Sequence, residues 1–264
     1  MKIAVNAKEL IGDGACAFVP TMGALHAGHA SLIKKAREYS DTVVVSIFIN
    51  PLQFENKDDL AKYPRTPEFD IELASQAGAT HLWLPTVDEI YPGEVQKISA
   101  GALGDIYEGV KRPGHFDGVL TVVNRLFELV KPQWAIFGEK DFQQLTLIKS
   151  MKSDVEIIGA PTIRDTDGLA LSSRNVRLSD PKAALVIYRA LLAASNEKSI
   201  DSAREVMRGV LASEAAFTLD YAEIINESNF EKASPNDANK RAIIAGWVNG
   251  IRLIDNMPMN GGAQ

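Results

Sequence analysis

The sequence predicts a doubly wound parallel α/β sheet domain in residues 1–175 and a smaller α+β domain in residues 176–264. From the first residue to about Pro161, short β-branched and aromatic runs alternate with stretches of helical period, the pattern of successive βαβ units. Those runs are too apolar to leave one face wet, which implies strands covered by helices on both faces. After Asn175 the texture changes to Ala/Leu-rich stretches, then to two apolar runs meeting at Asn249-Gly250, a strong short-range hairpin signal.

The strands of the first domain are expected at 15–20 (ACAFVP), 43–49 (VVVSIFI), 80–84 (THLWL), 134–137 (WAIF) and 155–160 (VEIIGA). Helices fit between them, from Gly28 to Tyr39, Pro67 to Gln76, 117–130 and Asp141 to Met151. Pro67 suits a first helical turn and Gly78 suits a stop. The segment 95–110 is less regular, with VQKIS as an edge strand and ALGDIYEG as a short helix. Right-handed crossovers then place ligands beyond the carboxyl ends of the strands. In the second domain, helices at 181–194 and 200–213 precede LDYAEIIN, RAIIAGWV and IRLIDN, which form an antiparallel sheet. The polar, Gly-rich tail MNGGAQ is expected to fray.

Of the 264 residues, 46% are apolar and 23% charged, values that exclude a disordered or fibrous chain. The formal charge of -6 comes without a Lys/Arg block, so a basic nucleic-acid binder is disfavoured. A single phosphate pocket needs only a few local donors and stays open. No window approaches an uninterrupted membrane-spanning apolar run. Cys16 is a lone cysteine and the N-terminus lacks a signal-peptide pattern, so a cytoplasmic protein is expected.

Five segments carry chemistry. PTMGALHAGHASL, at 20–32, follows the first expected strand and opens a helix. Gly23 and Gly28 allow close backbone approach, and His26 and His29 can face a polyanion held by the helix N-terminus. A shared metal is the rival use of the two histidines, but no third ligand is evident nearby. SIFINPLQF presents Asn50 and Gln53 at a strand end, where amides suit a polar substrate; Asn-Pro is equally a common turn. DLAKYPRTPEFD adds Tyr63, Arg65 and Asp70, the last as a possible magnesium contact. KRPGHFDGV places Arg112 and His115 before an apolar helix, and FGEKDFQQL sets Lys140, Asp141, Gln143 and Gln144 at another strand end. Finally, TIRDTDGLALSSRN puts Ser172, Ser173 and Arg174 on a polar loop expected to be mobile, the composition of a phosphate clamp.

There is no cysteine nucleophile, Gly-x-Ser-x-Gly elbow or Walker-type phosphate loop in the sequence. Many phosphate donors without covalent machinery point to phosphoryl or nucleotidyl transfer by positioning and charge stabilisation.

Taken in order, PTMGALHAGH, SIFINPLQF, YPR, RPGHFDGVLTVV, FGEKDFQQL, DGLALSSRN and RLIDN resemble the pantoate-beta-alanine ligase family over nearly the whole chain. A lone HxGH would indicate only the wider nucleotidyltransferase group. The resemblance implies a homodimeric cytoplasmic enzyme with a Rossmann-like N-terminal domain and a C-terminal domain that closes over the site. It further implies that ATP, with magnesium, activates pantoate as pantoyl adenylate, which beta-alanine then attacks to release pantothenate and AMP. By motif position, His26, His29, Lys140, Ser172, Ser173 and Arg174 are the catalytic phosphate-binding set. Pro20, Met22, Gly23, Gly28, Gly138, Asp141, Ile163 and Leu171 border ATP. Gln53, Gln144, Met22, Asn50, Tyr63, Arg112 and His115 surround pantoate, and Asp70 is the metal candidate. Phe69 stands where the family often has an acid, Leu171 where it usually has Met, and Asn226 where an acid is expected. A nucleotidyltransferase acting on a phosphorylated substrate would share the two histidines, but would meet Lys or Arg where this chain has Gln53 and Gln144. A nucleotide-binding module without turnover would need no second substrate pocket.

Overall fold

The computed structural model describes residues 1–10, 15–54, 60–61 and 63–259. The chain divides into two compact units, Met1–Pro161 and Thr162–Gln264.

In the first unit, strands β1 (Lys2–Ala4), β2 (Ala17–Thr21), β3 (Val43–Ile47), β4 (His81–Trp83), β5 (Trp134–Gly138) and β6 (Glu156–Ala160) form one sheet in the order β1-β4-β3-β2-β5-β6. Every pairing is parallel. The helices are α1 (Ala27–Arg37), α2 (Pro67–Ala77), α3 (Val87–Ile90), α4 (Glu108–Lys111), α5 (His115–Val130) and α6 (Phe142–Lys149). Alternation along the strands feeds two cores. Phe18, Val44, Trp83 and Phe137 pack with α5 and α6 residues such as Leu120 and Leu145. Val19, Val45, Leu82 and Ile136 pack with Ile33 of α1 and Ala74 of α2. The path runs outward through β2, β3 and β4, then returns to place β5 on the other side of β2. A crevice therefore opens between the carboxyl ends of β2 and β5, where the strand order reverses.

Two elements differ from expectation. Strand β1 has no counterpart among the expected strands: it is three residues long and begins with the exposed Lys2 and Ile3, too short for a period to show. The segment VQKIS is not a strand. Instead, Ile98 N donates to Thr121 Oγ1 at 2.9 Å and Ala100 N to Asp117 Oδ1 at 2.8 Å, so α5 side chains satisfy the backbone that a sheet neighbour would otherwise have paired.

The second unit packs α7 (Pro181–Ser195) and α8 (Ile200–Ala212) on an antiparallel sheet of β7 (Phe217–Asn226), β8 (Lys240–Val248) and β9 (Ile251–Pro258). Asn249 (φ 49°) and Gly250 (φ 80°) are both left-handed between β8 and β9, as the tightest hairpin turn requires. Residues 162–175, expected to close the first domain, belong to this unit. Arg164 Nη2 donates to Asp255 Oδ1 at 3.0 Å, and its guanidinium lies 5.0 Å from the Tyr188 ring centre. Gly168 (φ 102°) sits so close to Tyr188 that a Cβ would fall 2.1 Å from its Cδ1. The loop is thus built into the second core rather than loosely attached. Residues 260–264 of the tail lie outside the described residues. No helix among the described residues is long and apolar enough to cross a membrane.

Candidate active site

The turn leaving β2 is strained and then pinned. Gly23 (φ 82°) and Ala24 (φ 50°) are both left-handed, and alanine rarely adopts that region. Asp70, 2% exposed on α2, takes Ala24 N on Oδ2 at 3.0 Å and Leu25 N on Oδ1 at 2.7 Å. Thr66 Oγ1 adds a third donor at 3.0 Å. At Gly23 a Cβ would lie 3.1 Å from Asp70 Oδ2 and 3.0 Å from Ile47 Cγ2, so this glycine gives the carboxylate its room. Asp70 is the residue expected near magnesium; in the structure its oxygens hold the turn that delivers His26.

His26 is the N-cap of α1 and His29 lies one turn in, with ring centres 4.2 Å apart. Gly28 N donates to His26 Nδ1 at 3.1 Å, and His26 N donates to His29 Nδ1 at 3.2 Å. Backbone N–H groups can only donate, so both Nδ1 atoms are acceptors and both protons sit on Nε2. The sequence suggests rings working beside free helix N–H groups; two of those N–H groups instead set the ring tautomers. Burial, with the Lys140 charge adding to it, lowers His26 to about 4. Burial and the neighbouring His26 lower His29 to about 3. At neutral pH the pair is two uncharged N–H donors.

Lys140 and Asp141 leave β5 in the turn after Gly138, and both act electrostatically on the two histidines. The Lys140 side chain is 16% exposed, with Nζ 4.0 Å from Asp141 Oδ1. The ends of β2 and β5 thus bring one cation and two neutral donors to the crevice. Gln144 is half-buried in the first turn of α6. Its neighbour Gln143 turns away, donating to Leu103 O at 2.7 Å and Ile106 O at 2.9 Å.

The second half of the site grows from the turn Pro51–Gln53 after β3. Gln53 is 8% exposed, and its Nε2 lies 2.8 Å from Met22 Sδ, joining this half to the β2 turn. His115, 7% exposed at the start of α5, approaches the Gln53 carbonyl with Nδ1 at 2.9 Å. A carbonyl only accepts, so His115 carries its proton on Nδ1, the tautomer opposite to that of His26 and His29. Burial and the Arg112 charge lower it to about 4. Gly118 permits the close packing, since a Cβ there would fall 2.4 Å from Leu52 O. Tyr63 stands edge-on to Phe54 with ring centres 5.8 Å apart.

Asn50 does not present its amide to solvent. It is 1% exposed, donates to Gly118 O at 3.0 Å and Gln53 Oε1 at 3.2 Å, and accepts from Leu52 N at 3.2 Å and Tyr91 Oη at 2.9 Å. Asn50, expected beside the substrate, is a support for Gln53. Sequence reasoning misses Tyr91, which closes the short run VDEIY and carries no motif.

Ile163, Leu171, Ser172, Ser173 and Arg174 lie in the second unit. There Leu171 N donates to Ile163 O at 2.9 Å, and Arg174 N to Ser172 Oγ at 3.3 Å. Asn226 forms a turn, its Oδ1 taking Ser228 N at 2.8 Å. Among the described residues no group of three or more His, Cys, Asp or Glu could hold a metal ion.

Comparison with known proteins bears on the family and the fold. Residues 2–258 match the family model described as pantoate-beta-alanine ligase. A protein named pantothenate synthetase from Acidothermus cellulolyticus is 47% identical over 265 residues, covering 93% of this chain and 86% of its own. The crystal structure of pantothenate synthetase from Thermus thermophilus aligns with a TM-score of 0.93 at 42% identity, covering 98% of this chain and 99% of that one. A Francisella tularensis pantoate-beta-alanine ligase, crystallised with beta-gamma ATP and beta-alanine, aligns with a TM-score of 0.80 at 36% identity, covering 98% of both chains. With the fold, the motifs and the relatives in agreement over almost its full length, the chain belongs to the pantoate-beta-alanine ligase family.

Proposed function

We propose that this chain condenses pantoate with beta-alanine at the expense of ATP, through an enzyme-bound pantoyl adenylate. The observation that carries the reading is the grouping of His26, His29 and Lys140 at the carboxyl ends of β2 and β5, with the Met22–Gln53 contact on the same β2 turn. A pantoate carboxylate oxygen attacks the α-phosphorus of ATP, and the bond to the bridging oxygen breaks as pyrophosphate leaves with its electrons. Nε2–H of His26 and of His29, together with the Lys140 ammonium, stabilise the charge that gathers on the phosphate oxygens. The amine of beta-alanine then attacks the acyl carbon, the carbon–oxygen bond to AMP breaks, and the amine's proton passes to solvent.

Gln53 and Gln144 hold pantoate, with Arg112, Tyr63 and His115 around it. Pro20, Met22, Gly23, Gly28, Gly138 and Asp141 border the nucleotide. Ser172, Ser173 and Arg174, near Ile163 and Leu171 in sequence, supply further phosphate donors. Magnesium, when bound, neutralises phosphate charge; the donor set fits a metal carried on phosphate oxygens and water, because Asp70 already holds two backbone N–H groups. His115 is a weak base at its lowered value, so positioning rather than a dedicated base carries the amine step. The family resemblance also supports a homodimer, and the lone Cys16 supports a cytoplasmic location.

The test is product analysis with all three substrates. One AMP and one pyrophosphate per pantothenate supports the reading; ADP and phosphate as the nucleotide products contradicts it.

A further inference from the structure

Amide oxygen and nitrogen have the same outline, so the direction in which Asn50 and Gln53 present their ends must follow from partners of fixed character. Two backbone groups supply that character. Leu52 N–H can only donate, so the Asn50 atom 3.2 Å away is Oδ1. The Gly118 carbonyl can only accept, so the Asn50 atom 3.0 Å away is Nδ2. The two assignments agree, and they propagate. Asn50 Nδ2 also faces the Gln53 amide at 3.2 Å, which makes that atom Oε1 and leaves Nε2 as the outer, donating edge. Nε2 faces the Met22 thioether at 2.8 Å, a weak acceptor that a stronger one can displace.

Tyr91 completes the chain. Its hydroxyl lies 2.9 Å from Asn50 Oδ1 and must be the donor. Its ring packs against Phe48 with centres 6.2 Å apart. Burial pushes its phenol upward, so the proton stays in place. His115 Nδ1–H holds the backbone carbonyl of Gln53, fixing the main chain from which that side chain projects.

We propose that Tyr91 is a positioning residue for substrate selection: by donating to Asn50 Oδ1 it steadies a side chain whose direction the Leu52 N–H and the Gly118 carbonyl set, and so helps hold the Gln53 amide with its N–H2 edge toward the site, where this position takes a hydrogen-bond-accepting oxygen of a small hydroxy acid. This inference rests on the assignment of Gln53 to the pantoate side of the site. A ligand presenting an N–H there meets another donor and is rejected.

Tyr91→Phe keeps the ring and deletes the hydroxyl. The expected result is a rise of roughly 3- to 10-fold in KM for pantoate, the scale of one neutral hydrogen bond, with KM for ATP and the melting temperature near wild type. Asn50→Asp keeps the shape but turns the donating end into an acceptor facing Gly118 O and Gln53 Oε1, and is expected to raise KM for pantoate by more than Tyr91→Phe. Gln53→Ala is the reference variant. If it raises KM for pantoate while Tyr91→Phe does not, or if Tyr91→Phe raises the KM values of pantoate and ATP alike, the relay is overturned. If Gln53→Ala leaves KM for pantoate unchanged, the underlying assignment of Gln53 falls and the relay falls with it.

Discussion

His26 N–H donates to Nδ1 of His29 at 3.2 Å, one turn along the same helix. With the matching bond from Gly28 N to His26 Nδ1, it commits both imidazoles to the Nε2–H form before any substrate arrives. The pair is a preorganised neutral donor set, and its replacement should show in the step where phosphate charge develops. His26→Ala or His29→Ala is expected to lose roughly 10²–10³ in the rate of adenylate formation. Gln, whose Nε2 can also donate, should recover part of that loss at either position. Single-turnover formation of pantoyl adenylate measures both; equal rates for Ala and Gln would mean the donated proton is not what matters.

The same two histidines, with His115, predict how stability responds to acid. His26, His29 and His115 have folded-state values near 4, 3 and 4, against an ordinary 6.5. A depressed value means that the unfolded chain binds more protons across the interval between the two. Stability from these groups is therefore complete above pH 6.5 and is lost progressively as pH falls toward 4. Denaturant melts from about pH 7.5 down to about 4.5 should show this decline, and His115→Gln should flatten it. An unchanged slope in that variant would show that His115 is not held neutral.

Gly118 tests the packing under the Pro51–Gln53 turn. A Cβ there would lie 2.4 Å from Leu52 O and 2.8 Å from Gln53 N, which are backbone atoms that can move only with the whole turn. Gly118→Ala is expected to cost about 1–3 kcal/mol of stability and to raise KM for pantoate more than KM for ATP. Thermal melts and initial rates check the two parts separately.

Asp70 distinguishes a turn anchor from a metal ligand. Asp70→Asn leaves one oxygen where Ala24 and Leu25 both need an acceptor, and is expected to cost about 1–3 kcal/mol and to slow adenylation at saturating magnesium. The magnesium concentration for half-maximal rate should stay where it is. A rise of tenfold or more in that concentration, with near-normal rates at saturation, would make Asp70 a ligand.

The parts legible in the sequence are those with local signals. Pro67 and Gly78 bracket α2, Asn249-Gly250 turns the hairpin, and the apolar runs of β2, β3 and β5 imply buried parallel strands. The placement of the PTMGALHAGH histidines is legible for a similar reason, because a helix start following a buried strand fixes where they lie. What the sequence does not show depends on contacts far apart in the chain. Tyr91 reaches Asn50 across 41 residues, and Ala24 reaches Asp70 across 46. Asn50 in particular has the composition of a substrate contact, and only its two distant partners, Gly118 and Tyr91, reveal a support. The segment 95–100 misleads in the opposite way: its alternation resembles a strand, while the groups that satisfy it belong to α5.

The adenylation step is tested most directly by exchange of labelled pyrophosphate into ATP, with and without pantoate and in the absence of beta-alanine. Reversible formation of pantoyl adenylate in the crevice between β2 and β5 predicts exchange that requires pantoate, needs no beta-alanine, and collapses in His29→Ala. Exchange independent of pantoate, or none in its presence while pantothenate still forms, would contradict an adenylate intermediate.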